Sequence, residues 1–404
     1  MRLGEITDPA RPWTRSAFSD RHLQGRQFLT GRMRELELDT RIDAAGNLIG
    51  RRAGRDPAAG TIMIGSHSDT VVGGGRFDGI AGVIAGLEIA AALRDADVRL
   101  RHSLEIVDFL AEEPNEFGLS CVGSRGMAGA LDVDMLARVN RSGVSLRDAI
   151  ATVRAAGPSP GAVSVGAAHR RDVAAFFELH IEQGPVLEAQ GNEVGVVTHI
   201  AGIRRLALTF EGQAAHAGTT PLDLRRDALV AASAFVLELR GALESVRSGH
   251  PFVIATVGEI HVAPNAPNVV PGEVRVVVDL RSDSGEALVD WTDRIRALGD
   301  QAVSGTKVRL AEFKLLSATQ PTTCAPPLLS HLRTAAGELN LKQQDIVSGA
   351  GHDAAFLSHV APAAMLFVPS RDGMSHCAEE WTESRALAKG VATVLRAVRA
   401  FDAQ

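Results

Sequence analysis

Residues 61–66, TIMIGS, then 79–93, GIAGVIAGLEIAAAL, and then 104–110, LEIVDFL, decide the fold. The outer two are continuous apolar runs of strand length, and the middle one is long enough for a helix with small residues on its packing face. Strand, helix, strand at this spacing is a βαβ unit, whose parallel sheet places ligand sites beyond the carboxyl ends of its strands. His67 and Glu112 fall just past two such ends.

Moving outward, the pattern changes at about Ile203. Strand RLALTFEG (205–212), a long helix over Leu222–Leu243, strands FVIATVGEI (252–260) and EVRVVVDLR (273–281), a helix over Glu286–Leu298 and strand KVRLAEFKLL (307–316) follow one another. That βαββαβ order is the split βαβ arrangement of a ferredoxin-like layer. After Ser317 the chain returns to helix, then to strand AAMLFVP (363–369) and a closing helix over Ala386–Phe401. The expected architecture is an α/β catalytic domain with a mixed, largely parallel sheet, over residues 1–202 and 317–404, interrupted by an inserted α+β domain over residues 203–316. A chain of 404 residues exceeds what one hydrophobic core usually organises, which agrees with two domains. The most linker-like stretch is GPSPGAVSVG, at 157–166.

Composition excludes several classes. Tyrosine is absent, so no tyrosine can serve as nucleophile or acid, and a formal net charge of −6 offers no basic surface for phosphates. Nucleic acid is therefore not an expected partner. Cys121, Cys324 and Cys377 are odd in number and scattered, which fits free thiols in a reducing compartment. The start, MRLGEITDPARPW, lacks the apolar stretch of a secretory signal, and charge or glycine breaks every long apolar segment. The expected location is the cytoplasm, with no membrane partner.

Four segments could carry chemistry. In Gly65-Ser66-His67-Ser68-Asp69-Thr70 and the glycine-rich Gly73–Gly79 that follows, a strand-end histidine, an aspartate two residues on and a second carboxylate, Asp78, supply what a metal needs. Alone, such a His-x-Asp triplet is more often a satisfied structural pair. In Ala111-Glu112-Glu113-Pro114, adjacent carboxylates diverge, so one can ligate a metal while its neighbour acts as general base. Glu178-Leu179-His180-Ile181-Glu182-Gln183-Gly184 and Gly373-Met374-Ser375-His376 each bring a histidine to the end of an apolar run. Three histidines, an isolated aspartate and a Glu-Glu pair, all following strands, make a recurrence that independent structural roles do not predict.

The ordered set GSHSDT, GGRFDG, EE, ELHIEQG, AHAGTTP, PNxxNVVPG, DLRS, GAGHDA and GMSH resembles the hydantoinase/carbamoylase branch of the zinc amidohydrolases related to the M20 metallopeptidases, from Asn47-Leu48 to the last helix. This group includes N-carbamoyl-L-amino-acid hydrolases, β-ureidopropionase and allantoate amidohydrolase. The resemblance implies two divalent ions per subunit. His67 and His180 would each complete one ion's shell, Asp78 would bridge, and Glu113 and His376 would fill the remaining positions. It makes Glu112 the general base and Asp69 the carboxylate that orients His67. Histidine rather than aspartate at position 180 favours the amidohydrolases over the peptidases. In the inserted domain it makes His216 a group that reaches the partner subunit's metal centre, so a homodimer is implied and the insertion becomes a dimerisation and lid domain. Asn268 and Arg281 would hold the substrate's amide and carboxylate. A planar guanidinium suits the latter task. Gln183 and His352 would also line the substrate site, with Asp353 beside them.

Two features depart from that pattern. Pro114-Asn115-Glu116 stands where many relatives carry a glycine-led loop, and the amino terminus begins without the helix that usually precedes the shared region. The implied reaction is hydrolysis of an N-carbamoyl-L-amino acid or related ureido acid to the amino acid, ammonia and carbon dioxide, with allantoate or ureidoglycolate as alternatives and a peptidase or aminoacylase activity behind them. Zinc is the expected metal, although a mixed nitrogen and oxygen ligand set also accepts manganese, cobalt or nickel.

Other classes fit less well. Gly73–Gly79 lacks the G-x-G-x-x-G spacing of a dinucleotide fold, and neither Gly65-Ser66-His67 nor Gly123-Ser124-Arg125 provides the G-x-S-x-G of a serine hydrolase. Cys377 and His376 are adjacent and would rarely face one another as a nucleophile pair. A metal-stabilised binding protein without activity would be marked by loss of Glu112 or a ligand, and none is lost. Metal content measured together with ammonia release separates that role from an enzyme's.

Overall fold

The computed structural model describes residues 2–158, 169–246 and 251–404. Of the linker-like stretch at 157–166, all but Gly157 and Pro158 lies outside the described residues. The chain divides into two compact units. One comprises Met1–Thr198, Cys324–Ser348 and His352–Gln404, and the other His199–Thr323 with Gly349–Gly351. The breaks lie outside the pattern change read at 203 and 316, because the connecting segments on both sides fold with the second unit.

Strands of the first unit are β1 (Asp39–Ile42), β2 (Leu48–Arg52), β3 (Thr61–His67), β4 (Ser103–Phe109), β5 (Val173–Ile181) and β6 (Val194–Ile200). After the second unit's β7 (Gly202–Glu211), β8 (Ala215–His216), β9 (Val253–Ala263), β10 (Val269–Val270), β11 (Glu273–Ser282), β12 (Arg309–Ala318) and β13 (Thr322–Thr323) come β14 (Gln343–Ser348) and β15 (Ala363–Val368). The large sheet runs β1-β2-β4-β3-β5-β15-β6, with β14 also on β6. β4, β3, β5 and β15 run parallel to one another, whereas β1, β2 and β6 join antiparallel. The sheet is mixed, as expected, with a parallel centre and antiparallel strands beside it, because the sequence pattern of the flanking strands says nothing of their direction.

The central strands are buried along nearly their whole length, which is why they read as continuous apolar runs rather than alternating ones. Each wholly buried Phe or Ile in them, such as Phe176 or Ile64, contributes about 1.5–3 kcal/mol relative to exposure. Helices cover the sheet, among them Ile80–Asp95, whose Ala81, Ala85 and Ala90, both glycines, Leu87 and Ile89 are buried. The expectation of no leading helix is corrected: helix Asp20–Glu35 precedes β1, begun by Ser19 accepting from the His22 amide. It has a weakly segregated, charge-rich sequence, so periodicity alone did not reveal it.

In the second unit the antiparallel sheet runs β12-β7-β11-β9. Alternate residues Leu206, Leu208 and Phe210 of β7 and Val274, Val276, Val278 and Leu280 of β11 share a core with Phe235 and Leu239 of helix Ala228–Glu244 and Leu288, Trp291 and Ile295 of helix Gly285–Val303. The helix read over Leu222–Leu243 starts later. Leu222–Leu224 is a separate 3-10 turn, and Asp227 caps the true helix through the Leu229 and Val230 amides.

Candidate metal centre

All four parallel strands end on the same side, and each delivers one of the segments singled out above. His67 closes β3, and His180 is the penultimate residue of β5. Glu112 and Glu113 follow β4, and His376 follows β15. The register sets His67 opposite Phe109 and His180 opposite Phe367, so these ends are level. Asp78 enters from the loop between β3 and the helix at Ile80.

The side chains converge. Asp78 Oδ1 lies 3.2 Å from His180 Nε2, and its Oδ2 lies 2.9 Å from His376 Nε2. His376 Nε2 is also 3.4 Å from Glu113 Oε1. Two donor groups result, His67 with Asp78 and His180, and Asp78 with Glu113 and His376. This corrects the expected division. His67 and His180 stand together on one side of Asp78 rather than one in each shell, because β3 and β5 are neighbours in the sheet. A third grouping, Glu178, His180 and His352, reuses His180. Both Glu178 oxygens already accept hydrogen bonds, from Ser66 Oγ at 2.8 Å and the Ala354 amide at 3.0 Å.

Asp69 does not orient His67 through its carboxylate as expected. His67 Nδ1 is 3.0 Å from the Asp69 carbonyl and 3.7 Å from the carboxylate. The carboxylate instead accepts from the Glu112 and Glu113 amides at 3.3 and 3.2 Å, holding the turn that presents both glutamates. Glu112 itself lies with Oε2 3.6 Å from His67 Nε2, and its Oε1 accepts from Cys121 Sγ at 3.2 Å. Ala111, Cys121, Gln183 and His376 are non-glycine residues with φ of 53–57°. Such backbone costs of order 1–3 kcal/mol per residue and gathers where a surrounding structure enforces a geometry.

Electrostatics bear on what this cluster can hold. Burial pushes Glu113 up to about 10, with Asp78 and Asp69 adding to it. Burial also raises Glu112 well above the carboxylate range, with Asp353 and Glu113 adding to it, and raises Asp69 to about 7. Burial lowers His67 to about 4, so its ring is neutral with a lone pair to give. For His180 burial is the largest influence and pulls down, but the hydrogen bond to Asp78 and the charges of Asp78 and Glu178 together outweigh it, and the ring rises to about 9. Carboxyls crowded in a dry site hold protons unless a cation replaces them. Glu113 Oε1 is buried with no hydrogen-bond donor among the described residues. These donors therefore fit divalent ions, which nitrogen and oxygen ligands of this kind bind.

The remaining expected residues divide between the units. Gln183 is beside the cluster, its Nε2 donating to Ser375 Oγ at 3.3 Å and standing 3.5 Å from His376 Nε2. Neighbouring Glu182 has a structural task, accepting from the Val186 and Leu187 amides. His352 is buried, 2.8 Å from Ser348 Oγ and with its ring centroid 4.6 Å from that of His180. Asp353 accepts from Ser124 Oγ. His216, Asn268 and Arg281 belong to the second unit. There His216 pairs with Val269 across β8 and β10, and the Ala217 amide donates to the Asn268 carbonyl at 2.9 Å. Arg281 donates to Asp279 and to the Gly349 carbonyl, both at 2.6 Å. Sequence reasoning missed Cys121 and Glu178. The second had a signal, since it precedes His180 by two on a strand and so shares its face.

Comparison with known proteins agrees with this geometry. A family model described as Peptidase family M20/M25/M40 matches residues 63–400. The chain is 42% identical over 392 residues to an N-carbamoyl-L-amino-acid amidohydrolase of Paenarthrobacter aurescens, covering 96% of this chain and 93% of that protein. It is 33% identical over 405 residues to a ureidoglycolate hydrolase of Oryza sativa, covering 100% of this chain and 83% of the other. Among solved structures, an amidase of the hydantoinase/carbamoylase family from Burkholderia multivorans superposes with a TM-score of 0.92 at 35% identity, over 100% of this chain and 96% of its own.

Proposed function

Because the chain belongs to peptidase family M20/M25/M40 and, with its amidohydrolase relatives, hydrolyses amide bonds, we propose that it removes the carbamoyl group of N-carbamoyl-L-amino acids. The products are the amino acid, ammonia and carbon dioxide. The observation that carries the chemistry is Asp78 shared between two donor groups with Glu112 beside them. The substrate rests on the greater likeness to the Paenarthrobacter enzyme than to the rice one, and ureidoglycolate is the second reading.

In this proposal His67, Asp78 and His180 would hold one ion and Asp78, Glu113 and His376 the other, zinc first among the candidates. Divalent ions held there would supply an acidified water and draw charge from the carbonyl oxygen. Glu112, held by Cys121 and by the turn pinned to Asp69, accepts the water's proton and delivers it to the leaving nitrogen. Gln183 is placed to contact the substrate's polar end. Arg281 clamps the carboxylate and Asn268 the amide, while His216 stabilises developing negative charge in the partner subunit. The second unit, with the strand and helix order of a ferredoxin-like layer, is then both dimerisation domain and lid. Three free cysteines support a reducing, cytoplasmic setting. No helix among the described residues is long and apolar enough to cross a membrane.

The test is ammonia release from a panel of N-carbamoyl-L-amino acids, allantoate, ureidoglycolate and dipeptides, with the apoprotein reloaded separately with zinc, manganese, cobalt and nickel. Turnover highest on carbamoyl amino acids is expected. Preference for ureidoglycolate would replace the first reading by the second, and preference for dipeptides would overturn both. A monomer of full activity in light scattering would remove the role of His216 across subunits.

A further inference from the structure

Glu380 belongs to none of the motifs above, yet it is buried between the two loops that carry Asp78 and His376. Its Oε1 accepts from the Phe77 amide at 2.7 Å and the Asp78 amide at 3.1 Å, and its Oε2 accepts from Ser375 Oγ at 2.7 Å. One carboxylate therefore spans residues flanking both donors. The loop is shaped to admit it: a β-carbon on Gly75, whose φ is 116°, would stand 2.3 Å from Glu380 Oε1. The adjacent Trp381 packs on the same loop, edge to face with Phe77 at 5.5 Å and with the Arg76 guanidinium 5.4 Å from its ring.

We propose that Glu380 is a positioning residue that fixes the Asp78 loop against the His376 loop, so that the carboxylate common to both donor groups meets His376 at the right separation. The inference rests on the reading of Asp78 and His376 as metal ligands. Glu380 touches neither side chain. It acts through the backbone of Asp78 and through Ser375, and such outer partners typically set metal affinity by about 10–100-fold. Glutamine fits the same three contacts, its oxygen accepting from the two amides and its NH2 donating to Ser375 Oγ. Alanine makes none of them.

The experiment titrates zinc(II) alone and manganese(II) alone into metal-free wild type, Glu380→Ala, Glu380→Gln and Ser375→Ala by calorimetry, and measures Tm in chelator and after reloading. In Glu380→Ala one of two ions is expected to weaken by about 10–100-fold, with the metal-induced rise in Tm reduced, while Glu380→Gln stays within a few-fold of wild type. Ser375→Ala, the milder cut, should give a smaller loss in the same site and covers the case in which Glu380→Ala does not fold. Wild-type ion affinities in Glu380→Ala, or in Ser375→Ala where the alanine variant fails to fold, overturn the proposal. So does an equal loss in the alanine and glutamine variants, or a fall of Tm in chelator with no change in the metal-induced rise. A wild-type chain that takes up no metal overturns the two-ion reading itself, a result distinct from these.

Discussion

Replacing Gly79 by alanine probes the tightest packing in the centre. A β-carbon on Gly79 would lie 2.3 Å from Cε1 and Nε2 of His67 and 2.4 Å from its Cδ2, about an ångström inside ordinary contact. The ring has little room to yield, since His67 is 2% exposed and its Nδ1 is tied to the Asp69 carbonyl. The backbone adds strain, because Gly79 has φ 64° and ψ −46°, a region costing a side-chain-bearing residue about 1–3 kcal/mol. The Gly79 amide also points at His180 Nε2, 3.2 Å away, so a shift to relieve His67 disturbs the second histidine. Metal–ligand distances tolerate only about 0.2 Å. An ångström of displacement therefore takes His67 out of its donor group, while Asp78, Glu113 and His376 stay in place. The expected result is a chain that keeps one ion and binds the other at least about 100-fold more weakly, some 2.7 kcal/mol, with turnover lost in parallel. Calorimetric titration of the metal-free variant, with elemental analysis after dialysis, reads this directly. Two ions bound with wild-type affinity and an unchanged kcat would refute the reasoning.

Three further outcomes are expected. Glu112→Gln should retain its ions and lose about 10²–10⁴-fold in kcat; an unimpaired kcat would remove Glu112 as the base. Chelation should lower Tm, and a divalent ion at about 100 times its Kd should restore about 2.7 kcal/mol, so a Tm indifferent to chelator and metal counts against the centre. Glu105 is wholly buried with Arg41, Arg51 and Arg170 around it; burial pushes its carboxyl up, but Arg170 and Arg41 outweigh that and hold it below 4.5. Its stabilisation is then present above pH 4.5 and lost as pH falls through the lower folded value. Glu105→Gln should cost about 2–4 kcal/mol at neutral pH, less than a fully buried pair because its arginines are partly exposed. Denaturant curves of variant and parent should converge as pH falls through the depressed folded value, and a gap independent of pH would contradict the ion-pair account.

The sequence alone determined the central strands and the chemistry available at their ends. Continuous apolar runs such as Thr61–His67 and Ala363–Val368 announce buried strands, and alternation in Gly202–Glu211 announces a half-covered one, because side-chain direction follows a local period that neighbours in the chain fully express. For the same reason His67, Glu112, His180 and His376 could be recognised as strand-end residues. Only the tertiary structure decided which of them meet. That His67 groups with His180 follows from β3 lying beside β5, an order set by pairing between residues more than a hundred positions apart. Asp69 reaches the Glu112 and Glu113 amides rather than the His67 ring, and Glu380 bridges to Asp78 across three-fourths of the chain. Contacts of that kind depend on where distant backbones come to rest, and no local pattern in the residues themselves encodes it.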